Sequence, residues 1–150
     1  MKPIRETLLV STLLIALSLA WAHDDTTLDA MKSPNGGQVR MAGAYHFELL
    51  IPPAGEAAAG TTLLVFVTDH AGAKVPTNSA AGSATLLIAG KKTTIPLAPA
   101  GENRMRGQGS FPAAADMKVL VSIKLSERSP ELARFTPRIG AGIGAQRISQ

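Results

Sequence analysis

Apolar residues in this chain recur at every second position in short runs, and Gly, Pro or Asn interrupts each run before a helical period can develop. The segment "YHFELLI" sets the pattern: Tyr45, Phe47, Leu49 and Ile51 fall on one face, His46 and Glu48 on the other. Period-two alternation marks a half-buried strand. Pro52 and Pro53 end it, because proline brings no amide hydrogen to a ladder. "TTLLVFVT", Thr61 to Thr68, is apolar on both faces and reads as a central strand, with Asp69-His70-Ala71-Gly72 as its turn. "SATLLIAG" and "KTTIPLA" read as two more strands around a tight connection at Gly90-Lys91. "PAGEN" turns the chain into "RMRGQGSF". "MKVLVSIKL" again alternates, with Met117, Val119, Val121, Ile123 and Leu125 on one face, and "ARFT" adds an edge strand. The expected fold is all-β, an Ig-like antiparallel β-sandwich of about seven short strands. Its expected core includes Tyr45, Phe47, Leu49, Leu64, Phe66, Leu87, Val119, Val121 and Ile123.

The first residues read differently. Lys2 and Arg5 precede an apolar run from Leu8 to Ala20, and Ala20-Trp21-Ala22 supplies small residues where a signal peptidase reads them. That combination marks a secretory signal. The apolar run is short for a retained anchor, since a helix needs about 20 apolar residues to cross a bilayer. The expected division is therefore a signal peptide over 1–22, a flexible lead-in over 23–35, the β-domain over 36–136 and a disordered tail over 137–150. A periplasmic location follows from the signal.

Composition narrows the chemistry. Cysteine is absent, so neither a disulfide nor a thiol nucleophile is available. The net charge of +4 is spread along the chain, with Arg134, Arg138 and Arg147 near its end. A nucleic-acid partner would call for a clustered basic face. Aromatic residues make up 4%, too few for a stacking surface for sugars or bases. No G-x-S-x-G elbow and no phosphate-binding glycine loop before a helix occurs. The sequence points away from an enzyme.

Three histidines remain: His23, His46 and His70. Imidazole is the commonest metal ligand near neutral pH. Cleavage after Ala22 would free an α-amine on His23, and amine and imidazole together chelate one ion in a manner suited to Cu(II). His70, with Asp69 beside it, would close such a site. His46 with Glu48, two places apart on one strand face, is the alternative anchor. Each of these residues also has a purely structural use, His46 and Glu48 as a solvated strand face and Asp69 as a turn cap. Met31, Met41, Met105 and Met117 offer thioethers suited to Cu(I), although Met117 sits on an apolar face where packing explains it.

"GGQVRMAGAYHFELL", "VFVTDHAGAKVPT" and "LAPAGENRMRGQGSF" together resemble a group of small exported bacterial proteins. They are similar to the N-terminal β-sandwich domain of heavy-metal efflux periplasmic adaptor (membrane-fusion) proteins. The likeness runs from about Gly36 to Phe135, and the order and spacing of the motifs carry it. It implies a periplasmic setting and a link to resistance against copper or another heavy metal. The matching positions are Tyr45, Glu48, Asp69, His70 and Pro99-Ala100-Gly101. Relatives often place a His before the Gly-Gly pair, where this chain has Asn35, which removes one implied ligand. The adaptor's helical hairpin and lipoyl-like domain have no counterpart here. A looser likeness is to small exported copper carriers, in which an N-terminal His pairs with an Asp and a His from a later loop.

The expected function is thus a periplasmic protein that binds or senses a transition metal, with copper as the ion and an efflux-system component as a partner. The rival is a metal-free interaction module that docks on an efflux or envelope component through an exposed strand edge.

Overall fold

A computed structural model describes residues 25–30, 33–52, 60–112, 116–125 and 129–137. His23 and the segments expected as signal peptide and disordered tail lie outside the described residues, apart from Pro137. Among the described residues there is one short helix, α1 (Asp25–Ala30). Eight strands follow: β1 (Gln38–Ala42), β2 (Tyr45–Leu50), β3 (Thr61–Asp69), β4 (Ala81–Ile88), β5 (Lys91–Pro99), β6 (Arg104–Gly109), β7 (Lys118–Lys124) and β8 (Glu131–Phe135). The all-β class is as the alternation implied. No described helix is long and apolar enough to cross a membrane.

The strands form one antiparallel sheet in the order β1-β2-β3-β6-β5-β4-β7-β8. Two separate sheets were expected. The sheet instead stays continuous through β5, whose residues 91–97 pair with β4 and whose Ala98 and Pro99 pair with β6. The bend at this junction has a sequence cause. The inward positions of β6 after Met105 are Gly107 and Gly109. A Cβ on Gly107 would lie 2.9 Å from Ile95 Cγ2 and Leu97 Cδ2, and one on Gly109 2.5 Å from Ile95 Cδ1. Side chains of β5 therefore occupy the space that β6 leaves empty, and the sheet can roll.

Rolling brings the two edge strands together, nearly closing a barrel. Thr136 N donates to Gln38 Oε1 at 3.0 Å. The Glu131 carboxylate of β8 lies against Gly43, at φ 58° in the β1–β2 turn, in the place a Cβ would take. Long open strand edges, which template pairing with other chains, are thereby shortened.

The core lies inside the roll and takes alternate residues from the strands: Phe47, Leu49, Leu63, Val65, Val67, Leu86, Ile95, Met105, Val119, Val121, Ile123 and Phe135 are all buried. Five of the expected core residues are among them: Phe47, Leu49, Val119, Val121 and Ile123. The other four differ. Tyr45 packs against the core only partly, and Leu64 and Phe66 are half-buried on the outer face of β3. Leu87 points outward and is 41% exposed. Both faces of "TTLLVFVT" are apolar, so alternation could not choose between them. The β2–β3 register, which sets Phe47 opposite Val67 and Leu49 opposite Val65, makes the choice.

Within the expected lead-in, the described residues include α1. Leu28 of α1 is buried, and Asp29 accepts from both terminal nitrogens of Arg40 at 2.7 and 3.1 Å. Burying an arginine requires such pairing, and Arg40 is only 6% exposed. This helix is too short to announce itself by periodicity.

Candidate functional site

Four of the five residues read from the sequence as metal ligands fall within the described part of the chain. His46 and Glu48 point outward from β2, Asp69 ends β3 opposite Tyr45, and His70 follows in the turn. The surrounding structure treats the carboxylates and the imidazoles in two different ways.

The two carboxylates are engaged. Glu48 is 5% exposed although it lies on the outward face of β2. The segment Ser33–Gly37 folds over it. Its Oε1 accepts from the backbone N–H groups of Asn35 at 2.9 Å and Gly37 at 2.8 Å, and its Oε2 accepts from Asn35 Nδ2 at 2.8 Å. The Gly-Gly pair permits this approach. Gly36 has φ 81°, and a Cβ on Gly37 would sit 2.4 Å from the Leu49 carbonyl oxygen. Asn35 thus clamps a carboxylate. Asp69 has a related task. Its Oδ1 accepts from Ala71 N at 2.9 Å and Ala73 N at 2.8 Å. Aspartate commonly caps a turn in this way. Both carboxylates thus act on backbone amides, which accounts for them without a metal.

The two imidazoles come together. His46 pairs with Thr68 across the β2–β3 ladder, and His70 lies two residues beyond Thr68. Diagonal neighbours on one sheet face are within reach of aromatic rings. The ring centroids are 4.9 Å apart, tilted by 35°. His46 also faces Met41, its direct partner on β1, with His46 Nε2 3.2 Å from Met41 Sδ. Met41 is half-buried, whereas Met105 and Met117 are fully buried in the core.

The loop that carries His70 is fixed from several sides. Asp69 N donates to Ala73 O at 2.9 Å, Gly72 N to Asp69 O at 3.0 Å, and Val75 N to Val67 O at 3.1 Å. Farther along, buried Thr77 donates its N–H to Glu102 O at 2.9 Å and its hydroxyl to Arg104 O at 3.0 Å. Asn103 Nδ2 donates to Val67 O at 2.9 Å. The "PAGEN" turn therefore braces the segment after His70. Lys74 and Glu102 add an exposed ion pair at 2.6 Å, and that hydrogen bond from Lys74 lowers the Glu102 pKa.

Sequence reasoning named the two histidines in separate candidate sets, His70 with His23 and His46 with Glu48. The structure joins them to each other. A strand His and a turn His become neighbours only through the β2–β3 register, which no local pattern encodes. Among the described residues, no three His, Cys, Asp or Glu side chains gather as a metal-binding group. The pair with its neighbouring thioether is the arrangement that remains.

A second feature lies along β4, β7 and β8, with Arg40 of β1 also in its lining. An open groove of about 410 Å³ is lined by Leu87, Leu120 and Phe135, with Lys92, Lys118 and Arg134 around it. The register explains the composition. Leu87 stands opposite both Lys92 and Lys118, and Leu120 opposite Arg134.

Fold and side chains define a rolled antiparallel β-domain with an imidazole pair on one outer face. No family model, curated protein or solved structure matches the chain.

Proposed function

We propose that this is an exported periplasmic β-domain that binds a transition-metal ion, copper, through His46 and His70 in a heavy-metal-resistance setting. In this reading residues 1–22 are a cleaved signal peptide, and the rolled sheet acts as a flattened Ig-like sandwich whose halves meet at β5. The observation that carries the proposal is the approach of the two imidazole rings to 4.9 Å on an outer face. Imidazole pairs bind first-row metals, and neither ring belongs to the core. The resemblance of the motifs to efflux adaptor domains supplies the resistance setting and an efflux component as partner. His23, as the first residue after cleavage, would add an amine and a third imidazole. Glu48 and Asp69 hold backbone amides and are not needed as ligands.

The test is copper titration of the chain that begins at His23, beside His46→Ala, His70→Ala and a form with one extra Ala before His23. Loss of either described histidine should weaken binding, and binding should weaken as pH falls, because protons compete for the same nitrogens. The extra Ala should weaken binding only if the terminal amine is a ligand. Unchanged affinity in both histidine variants would overturn the proposal.

The groove favours a second reading, a metal-free interaction module. Apolar floor and cationic rim match an acidic, amphipathic segment of an envelope protein. In that case Leu87→Ser and Lys118→Glu would abolish partner capture, while the histidine variants would leave it intact.

A further inference from the structure

We propose that Met41 completes a three-donor site with His46 and His70, and that this site selects copper(I) over copper(II). The inference rests on the reading that the imidazole pair binds a metal, and it adds the third ligand and the oxidation state.

Position is the first argument. Met41, His46 and His70 come from β1, β2 and the turn after β3, and they share one outer face. Met41 is the direct cross-strand partner of His46. Its neighbours Arg40 and Ala42 are the inward residues of β1, so Met41 is not held there by the core. The core methionines Met105 and Met117 are 0% and 1% exposed and have an evident packing role. Met41 lies outside that buried core.

Distance is the second. A tetrahedral metal with bonds of about 2.0 Å to nitrogen and about 2.3 Å to sulfur holds those two atoms about 3.5 Å apart. His46 Nε2 and Met41 Sδ are 3.2 Å apart. The pair needs to open by only a few tenths of an ångström, which rotation of the flexible methionine side chain can provide. His70, with its ring centroid 4.9 Å from that of His46, lies within reach of the same ion.

Charge is the third. A site for a divalent ion usually gains from an anionic ligand, and both carboxylates named beside the histidines already accept hydrogen bonds from backbone amides. Glu48 accepts three hydrogen bonds from Asn35 and Gly37. Asp69 accepts two from its own turn. What remains is two neutral imidazoles and one neutral thioether. Soft thioether donors favour Cu(I), and a neutral donor set leaves a monovalent ion with the smaller uncompensated charge.

The experiment uses the full mature chain recovered from the periplasm. Cu(I) is titrated anaerobically against a chromophoric chelator, Cu(II) is titrated separately, and the Cu(I) form is examined by X-ray absorption. The unaltered protein should show a sulfur neighbour at about 2.3 Å, a readout that needs no variant. Met41→Leu, close to methionine in volume, should remove that neighbour. It should weaken Cu(I) binding on the order of ten-fold or more, the scale on which even outer-shell changes alter metal affinity, while Cu(II) binding stays unchanged. If the spectrum shows no sulfur and Met41→Leu binds Cu(I) as tightly as the parent while the histidine variants lose affinity, the third ligand is refuted and the imidazole site stands. If the histidine variants also bind both ions normally, the metal reading itself fails and this inference with it.

Discussion

The outer face of β1–β2–β3 and the outer face of β4–β7–β8 arise from the same alternation, yet they end in opposite states. On the first, a glycine-hinged segment folds back over Glu48, and a capped turn brings His70 to His46. Glu48 and Asp69 there are held by backbone amides, and His46 meets Met41 and His70. Among the described residues nothing folds back over the second, where Leu87 and Leu132 are 41% and 53% exposed. Turns and loops account for the contrast. The first face is flanked by Asn35-Gly36-Gly37 and by Asp69–Ala73, both shaped by side-chain-to-backbone hydrogen bonds. The second is flanked by the Ala89-Gly90 turn, which is too tight to cover anything. A strand pattern specifies which residues face outward, while the adjoining loops decide whether those residues become a built site or a bare surface.

The largest test of this contrast concerns β2 and β3, which supply both the first face and part of the core. Phe47→Ala should cost about 3–5 kcal/mol, as for other large buried aromatics. Phe66→Ala, on the outer face and only half-buried, should cost clearly less. Equal losses in denaturant unfolding would show that the outer face of β3 is packed as tightly as the inner one.

Glu48→Ala comes next. It leaves the Asn35 and Gly37 amides without their acceptor, and hydrogen bonds to a charged group contribute about 1.5–3 kcal/mol each. Water can replace part of that, so a loss of about 2 kcal/mol is expected. Hydrogen exchange at Gly37 should accelerate more than exchange in β7. A uniform change across the domain would mean that the carboxylate does not act locally.

The bare face should tolerate what the built face does not. Leu132→Ser should change stability by no more than about 0.5 kcal/mol, the usual range for surface substitutions. A loss above that, seen in thermal unfolding, would show that the face is covered in solution, by a partner or by another part of the chain.

The smallest effect belongs to the exposed Lys74–Glu102 pair. The hydrogen bond and charge of Lys74 lower the Glu102 pKa in the folded protein. The pair's stabilisation is therefore present above the unfolded-state pKa and fades as pH falls through the folded one. Lys74→Ala should slightly lower stability at neutral pH and leave it unchanged below the folded Glu102 pKa, so that the acid side of the stability profile flattens. A loss that persists at low pH, where Glu102 is protonated, would place the role of Lys74 elsewhere.

By itself the sequence determined the class and the punctuation. Period-two runs made helices improbable over most of the chain, and Pro, Gly and Asn placed the turns. The turn at Asp69–Gly72 and the break at Gly36-Gly37 could be read directly, since a short polar side chain or a missing Cβ acts within a few residues. Phe47, Leu49 and the alternating residues of β7 could be assigned to the core because the opposite faces carry His46, Glu48, Lys118, Ser122 and Lys124. Tertiary structure decided the rest. β3 carries apolar residues on both faces, so only pairing with β2 fixed Leu63, Val65 and Val67 inward and left Leu64 and Phe66 outside. The single rolled sheet depends on Ile95 and Leu97 meeting Gly107 and Gly109, a contact between strands that alternation does not register. Glu48 looked like a partner for His46 because both point outward, but the segment around Asn35 captured it first. His46 and His70 are 24 positions apart in sequence, and ladder register alone makes them neighbours. Local pattern fixes which way a side chain points, and long-range pairing fixes what it meets there.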